Sequence, residues 1–218
     1  MRHFHICAVV VLIGSLLPVG SADADTISFS DSIPLTLTNW SDTVSIQKFD
    51  PSLGILLDVE FTLAENFVGS MCFENMDENN PSPFTLRLSW LVALQRPDSS
   101  DLVTIDSLRE ESGVVAPFDG LLDFGGPSGV TFDIDEAETA TGSAMPGDLA
   151  LFTGVGTIEL PVVATAESFV SGGSPAASYF SAAAAADVTV TYVYIPEPAS
   201  LSMLAFGGLA LRRRRRRR

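Results

Sequence analysis

The sequence predicts an all-β chain: one antiparallel β-sandwich or jelly roll with a short apolar helix at each end. Apolar and polar residues alternate with a period of two in several stretches, and no long stretch repeats apolar residues at helical spacing. Turn-forming sequences rich in Gly, Pro, Asn and Asp separate most of these stretches. The 218 residues suffice for one domain with a sizeable core.

The N-terminal residues 1–24 have the parts of a secretory signal peptide. Arg2 gives a positive start, residues 6–17 are apolar, and Ala22 and Ala24 stand in the small-x-small pattern that signal peptidase recognises. Cleavage after Ala24 is therefore predicted, which makes this a cleavable signal helix. A retained membrane anchor is the alternative, but the apolar run is shorter than the roughly 20 residues that a spanning helix needs.

Cleavage would change the available chemistry, because His3 and His5 are the two histidines of the chain. Without imidazole, Ser-His-Asp and Cys-His catalysis and histidine-ligated zinc are excluded. Cys72 is then the one remaining thiol, so no intramolecular disulfide is expected. Its apolar neighbours predict that it is buried.

Residues 25–195 are predicted to form the β domain, with central strands at 55–63, 84–94 and 187–195. In the first of these, apolar residues occupy alternate positions, so one face should carry Ile55, Leu57, Val59, Phe61 and Leu63. In the second, the predicted core face carries Phe84, Leu86, Leu88, Trp90, Val92 and Leu94. Shorter strands are predicted at residues 26–30, 33–40, 44–49, 68–73, 102–105, 114–118, 129–135 and 155–166. Residues 182–186 are all alanine, and we expect a loop or single turn because five residues make no stable isolated helix.

The charge of the chain is uneven. The formal net charge of −15 includes seven terminal arginines, so residues 25–195, with 25 acidic and four basic side chains, carry about −21. This field disfavours binding to nucleic acid or anionic lipid, which requires clustered Lys and Arg. Cationic, metallic or neutral partners such as sugars fit it better. The simpler interpretation is that acidity maintains solubility and prevents sheet edges from pairing.

Five acidic residues around two glycine-rich turns are the candidate ligands for a metal: Asp119, Asp123, Asp133, Asp135 and Glu136. Carboxylate oxygens suit calcium, but no EF-hand or nonapeptide spacing is present. A solvated strand face is the competing interpretation, with Asp133 and Asp135 on one side of a strand and Phe132 and Ile134 on the other. We therefore predict no cofactor, with calcium as the alternative.

The C-terminal residues 196–218 have three consecutive parts: Pro196-Glu197-Pro198, the mostly apolar residues 199–211, and arginines 212–218. Neither proline can donate to a strand ladder, so the last strand should end here. An apolar helix of 13 residues is about 20 Å long, a short transmembrane helix against the roughly 30 Å hydrocarbon core. A cationic cluster beginning at Arg212, Arg213 and Arg214 would act as a membrane stop on the cytoplasmic side.

This tail, in which the sequence PEPAS is followed by LSML, resembles the PEP-CTERM sorting signal. The resemblance implies recognition of Pro196, Glu197 and Pro198 by exosortase, a membrane protease of bacteria that secrete exopolysaccharide. It also implies transient membrane insertion as an inner-membrane-anchored precursor, then transfer to the cell envelope, outer surface or extracellular matrix. Exosortase and signal peptidase would be the processing partners. The alternative is a tail that serves only as a basic-flanked membrane anchor.

Three segments of the body, residues 49–54, 148–154 and 188–194, resemble the choice-of-anchor E domain family. The family is defined by one extracellular domain attached to varying C-terminal anchoring signals. The resemblance covers most of residues 25–195 and implies no catalytic residues. One departure is Ile55-Leu56, which stands where the family usually has Gly-Thr after Gly54.

Two classes of function remain for the body. The first is a non-catalytic structural or adhesive component of a biofilm matrix, which would bind exopolysaccharide through Trp40, Trp90 or Tyr179. Of these three, Trp90 lies on an apolar face that is predicted to belong to the core. The second is a carboxylate-dependent glycosidase, with two clefted carboxylates about 5 to 9.5 Å apart, or a calcium-binding carbohydrate-binding module. We favour the first, and therefore no enzyme, because no pair of acids stands out.

Overall fold

The computed structural model describes residues 23–173 and 175–197, which form two four-stranded antiparallel sheets packed as a β-sandwich. The strands are β1 Asp25–Leu37, β2 Trp40–Gln47, β3 Gly54–Asn75, β4 Ser82–Gln95, β5 Asp101–Val115, β6 Gly129–Ser143, β7 Thr157–Gly172 and β8 Ala176–Pro196. A single 3₁₀ turn, Pro146–Asp148, lies between β6 and β7. The predicted all-β sandwich is confirmed.

Sheet I has the strand order β1-β8-β3-β6, and sheet II has the order β2-β7-β4-β5. The chain changes sheet between β1 and β2, between β2 and β3, and again at most later connections. The first strand pairs with the last, the second with the seventh, the third with the sixth and the fourth with the fifth. Such long-range pairing closes the two sheets around a single core.

The core lies between the sheets and is built by alternate residues of both. Strand β4 follows the sequence prediction closely, because each of its predicted core residues is buried: Phe84, Leu86, Leu88, Trp90, Val92 and Leu94. Trp90 stacks on Phe67 of the facing sheet, with ring centroids 4.0 Å apart and planes 7° from parallel. A stacked aromatic pair adds about 0.5–1.5 kcal/mol to the burial of the two rings.

The predicted face of β3 is wrong at its beginning. A β-bulge between Leu56 and Asp58 inserts Leu57 as an extra residue against β8. The bulge shifts the alternation, so Ile55 and Leu57 are exposed while Leu56 packs against the core. Beyond the bulge the prediction is correct, because Val59 and the next alternate residues are buried.

The loop or single turn predicted at residues 182–186 is wrong. These alanines lie in the middle of β8, between β1 and β3. Ala184 and Ala186 are fully buried. Pairing on both sides overrides the helical propensity of alanine.

The shorter predicted strands are mostly parts of longer ones. The stretches at 26–30 and 33–40 fall largely in β1, those at 55–63 and 68–73 in β3, and the one at 102–105 in β5. The stretch predicted at 114–118 is mostly wrong, because β5 ends at Val115. A register shift at Ile33 marks the join in β1, next to Pro34. In the described residues no helix is long and apolar enough to cross a membrane.

Candidate functional site

The outer face of sheet I carries many short hydroxyl side chains and is here called the hydroxyl face. It arises because inward residues such as Phe61, Leu63 and Val190 alternate with outward ones. Cross-strand partners point to the same side, so the register places outward residues in rows. The two most regular rows run Ser28, Thr191, Glu60, Ser143 and Ser30, Thr189, Thr62, Thr141.

Hydrogen bonds between neighbouring hydroxyls hold this face together. The side-chain oxygens of Ser28 and Thr191 lie 2.8 Å apart, as do those of Ser30 and Thr189. Further along β3, Ser70 makes the same 2.8 Å contact with Ser181. β-Branched threonines are restricted at χ1, so the hydroxyl positions on this surface are largely fixed.

The charges on the hydroxyl face are negative. Glu60, Asp187, Asp133 and Asp135 lie among its rows. The four basic residues of the described part of the chain lie elsewhere: Lys48 follows β2, Arg87 and Arg109 are on sheet II, and Arg96 follows β4. The face therefore offers hydroxyl donors and acceptors beside carboxylate acceptors, and no cation.

The three candidate aromatic residues have different environments. Trp90 is buried, in agreement with the prediction that it belongs to the core. Trp40 is half-buried, packs against the core, and donates from Nε1 to the carbonyl oxygen of Ala184 at 3.3 Å. Tyr179 is 55% exposed and stands opposite Cys72 on the outer side of sheet I. Cys72 itself is buried, as predicted.

Sequence reasoning missed one exposed aromatic residue. Phe169 on β7 is 51% exposed on the outer face of sheet II, with the guanidinium of Arg87 5.6 Å from its ring centroid. Arg87 also forms an ion pair with Glu110 of β5. The signal available was weak, because residues 167–171 do not alternate cleanly in polarity.

Two carboxylates are buried, and sequence reasoning singled out neither. Glu65 continues the inward face of β3 and is 3% exposed, and its Oε1 accepts a hydrogen bond from Trp90 Nε1–H. Burial raises the pKa of Glu65 to about 7; the Trp90 hydrogen bond opposes this rise, and the charges of Glu138 and Glu136 add to it. Oε2 has no hydrogen-bond partner within the described ranges.

Glu74 is fully buried near the end of β3, and neither of its carboxylate oxygens has a hydrogen-bond partner among the residues described. It is on the outer side of sheet I, where it pairs with Gly129 and Ala177. Such a group is costly to bury without compensation. A cleft of about 200 Å³ near this end of the sandwich is lined by Phe73, Val170, Gly172, Gly173, Ala176, Ala177 and Ser178. None of these is a carboxylate.

The five candidate metal ligands are not brought together. Asp133 and Asp135 are exposed on β6, whereas the neighbouring Glu136 points to the opposite side of that strand. Asp119 and Asp123 lie in the loop between β5 and β6. Over residues 23–173 and 175–197, no three His, Cys, Asp or Glu side chains form a group that could hold a metal ion.

Both loop aspartates cap turns of their own loop. Asp119 Oδ1 accepts the backbone N–H of Leu121 at 3.0 Å, and Asp123 Oδ1 accepts that of Gly125 at 2.9 Å. These are the local hydrogen bonds that Asp commonly makes two residues ahead in a turn.

The predicted processing sites lie at the margins of the described chain. Ala24 is exposed just before β1, and Pro196 ends β8 opposite Gly54. Glu197 donates its backbone N–H to the carbonyl oxygen of Leu53 at 3.2 Å. The other predicted residues lie outside the described residues: Ala22, Pro198, Arg212, Arg213 and Arg214.

No protein-family model matches the chain, and no curated protein matches it. Three similar solved structures come from viruses. Infectious bursal disease virus, Gx strain, is 11% identical with a TM-score of 0.18, over 80% of this chain and 36% of that chain. The structure of Desmodium yellow mottle tymovirus is 13% identical with a TM-score of 0.19, and the match covers 91% of this chain and 97% of that chain. The structure of mud crab tombus-like virus is 10% identical with a TM-score of 0.20, and the match covers 93% of this chain and 96% of that chain. The chain spans about a third of the first of these, and scores this low support no inference about function.

Proposed function

We propose that the protein is an exported component of the bacterial envelope or extracellular matrix, sorted by its PEP-CTERM tail, whose β domain is a non-catalytic adhesive or structural module for exopolysaccharide. The observation that carries the adhesive part is the hydroxyl face. A polar surface with fixed donors and acceptors matches the hydroxyl-rich surface of a neutral or cationic polysaccharide. The lack of a basic side chain among the described residues of this face disfavours anionic polymers.

We infer further that the sandwich is a jelly roll. The support is its pairing pattern, first strand with eighth, second with seventh, third with sixth and fourth with fifth, which is one long hairpin rolled into two sheets. In this arrangement the ends of the chain meet. Asp25 at the start of β1 pairs with Tyr194 near the end of β8.

The positions of the two terminal strands support the proposed processing. Strand β1 begins at Asp25, directly after the proposed signal peptidase site at Ala24, and β8 ends at Pro196, the first residue of the sorting motif. Removing residues 1–24 and the segment beyond Glu197 would therefore take no residue from a strand. The anchored precursor would display the sandwich from one end of sheet I.

Sorting is tested by mass spectrometry of the protein from its native host, with and without exosortase. We expect loss of the terminal arginines in the wild-type host and their retention without exosortase. A matched pair of variants sharpens the test: Glu197→Ala should block processing, whereas Glu159→Ala, at an exposed position of β7, should not. An intact Arg218 terminus in the wild-type host would contradict sorting.

Adhesion is tested by polysaccharide pull-down and glycan arrays. Thr62→Val and Thr189→Val together remove two paired hydroxyls from the middle of the hydroxyl face while keeping side-chain shape. We expect binding to fall at least tenfold. Thr104→Val and Thr165→Val, at exposed positions of sheet II, are the control and should bind like the wild type. Equal binding by both double variants would remove the hydroxyl face from the proposal.

A further inference from the structure

The buried carboxylate of Glu74 lies beneath a loop that folds back over sheet I. This loop, here called the lid loop, comprises residues 116–128 between β5 and β6. Its ends are held by backbone hydrogen bonds, Ala116 N–H to Pro127 O and Asn75 N–H to Ser128 O, both 2.9 Å. Thr131 Oγ1 donates to Phe124 O at 3.0 Å, which ties the middle of the loop to the outer side of β6.

Glu74 points into the turn of the lid loop. A Cβ built on Gly129 would stand 2.3 Å from Glu74 Oε2, 2.4 Å from the backbone nitrogen of Gly125 and 2.5 Å from the carbonyl carbon of Phe124. The carboxylate therefore shares the space beside Gly129 with the Phe124-Gly125 peptide. That space is available only because residue 129 has no side chain.

The described chain supplies no positive charge for Glu74. Arg87, Arg96 and Arg109 form ion pairs with Glu110, Asp148 and Glu111. The fourth cation, Lys48, lies in the turn after β2, where its Cδ is near Gly154. A fully buried carboxylate with two unpartnered oxygens costs several kcal/mol unless a countercharge compensates it.

Two further carboxylates approach the same turn from the solvent side. Asp119 Oδ2 lies 2.9 Å from where a Cβ on Gly126 would stand, and Asp123 Oδ1 lies 3.3 Å from the corresponding position on Gly125. In each residue, Oδ1 accepts a hydrogen bond from the backbone of the same turn. The turn thus lies between one buried carboxylate and two exposed ones.

We propose that Glu74 and the lid loop bind a small hard divalent cation of the calcium class. Oxygen is the donor type at the turn, and oxygen donors select calcium over zinc and copper. Because no three acidic side chains of the described residues form a group that could hold a metal ion, coordination rests on the two oxygens of Glu74, with main-chain carbonyls and water completing the shell. The exposed loop aspartates strengthen binding through their negative charge. This site differs from the five-residue cluster expected from the sequence, because it gains Glu74 and excludes Asp133, Asp135 and Glu136.

The test is calcium-dependent melting of the full-length chain in mild detergent, in 10 mM CaCl₂ or in EDTA. For affinities typical of extracellular calcium modules, about 10⁻⁴ to 10⁻³ M, calcium should raise the Tm by roughly 3 to 10 °C. Glu74→Gln should abolish the shift. Asp133→Asn, which removes an exposed carboxylate from the same side of sheet I, should keep it.

If Glu74→Gln fails to fold, Asp119→Asn and Asp123→Asn provide the second test, because both side chains are exposed. Each should weaken calcium binding measured by calorimetry at least threefold, and Asp133→Asn should not. The competing explanation is that Glu74 is buried without any ligand, which predicts no calcium shift in the wild type. That result, a shift that survives Glu74→Gln, or equal affinities in the loop variants and Asp133→Asn would overturn the proposal.

Discussion

The indole Nε1–H of Trp90 on β4 donates a hydrogen bond to Oε1 of Glu65 on β3, and this bond joins the two sheets inside the core. Glu65 is 3% exposed, and Trp90 also stacks on Phe67. A buried acid held by a single donor is sensitive to its own charge, because ionisation leaves a carboxylate in an apolar environment. The pair therefore makes the stability of the sandwich depend on pH.

Replacement of Glu65 by Gln should make the protein more stable at pH 8. Burial raises the pKa of Glu65 to about 7 from 4.5, so the folded state binds the proton more tightly than the unfolded state. The stability from this group is complete below about pH 4.5 and is lost as the pH rises through about 7. The loss amounts to at most about 3 kcal/mol, because solvent screening reduces it. Gln keeps an oxygen for Trp90 and cannot ionise.

Urea denaturation at pH 5 and pH 8 measures this effect as the difference between wild type and variant. We expect the free energy of unfolding of Glu65→Gln, relative to that of the wild type, to rise by up to about 3 kcal/mol from pH 5 to pH 8. Glu138→Gln, at the exposed cross-strand neighbour, is the control and should gain much less. A wild-type-to-variant difference that does not change with pH would contradict the role of Glu65.

Trp90→Phe should destabilise the sandwich more at pH 8 than at pH 5. The substitution removes the donor and leaves both oxygens of Glu65 without a partner, which costs about 1–3 kcal/mol for a buried acceptor and more when it is charged. At pH 5 the acid is protonated and uncharged, so the loss of this hydrogen bond costs less free energy. The control is the double variant with Glu65→Gln, in which the cost of Trp90→Phe should no longer depend on pH. The same cost at both pH values in the single variant would be the contrary result.

Alternation in the sequence predicted the strands best where one face is uniformly apolar. Strand β4 is such a case, because each of its predicted core residues is buried. In β3, Leu56 and Leu57 are both apolar, so polarity cannot show which of them faces the core or where a bulge resets the register. For residues 182–186, local propensity was outweighed by pairing with β1 and β3, which are distant in sequence.

The buried acids show why the site was harder to predict than the fold. Extending the alternation of Phe61 and Leu63 by one step reaches Glu65, so the sequence did carry a signal for its inward position. The signal is weak, because Glu is almost never fully buried. Glu74 carried no such signal. It is on the outer side of β3, and its burial depends on a loop that begins about 40 residues later.

Ala24→Leu should prevent removal of the proposed signal peptide. Signal peptidase requires small residues at the positions that Ala22 and Ala24 occupy, and Leu is too large for the site. We expect the wild type to begin at Asp25 and the variant to retain residues 1–24, as measured by intact-mass spectrometry of the exported protein. Asp23→Asn, between the two alanines, is the control and should be processed normally. Processing of Ala24→Leu at the same bond would contradict the predicted cleavage site.

Gly129→Ala should destabilise the protein by about 1–3 kcal/mol, the usual cost of overpacking a closely packed site. The added Cβ would stand within 2.5 Å of the backbone of Phe124 and Gly125, and backbone atoms cannot rotate away as a side chain can. Gly147→Ala is a matched control, because a Cβ there meets nothing within 4 Å. It should change the free energy of unfolding, measured in urea, by less than about 0.5 kcal/mol. If the two substitutions cost the same, the lid loop is not packed against Gly129, and the enclosed position of Glu74 loses its physical basis.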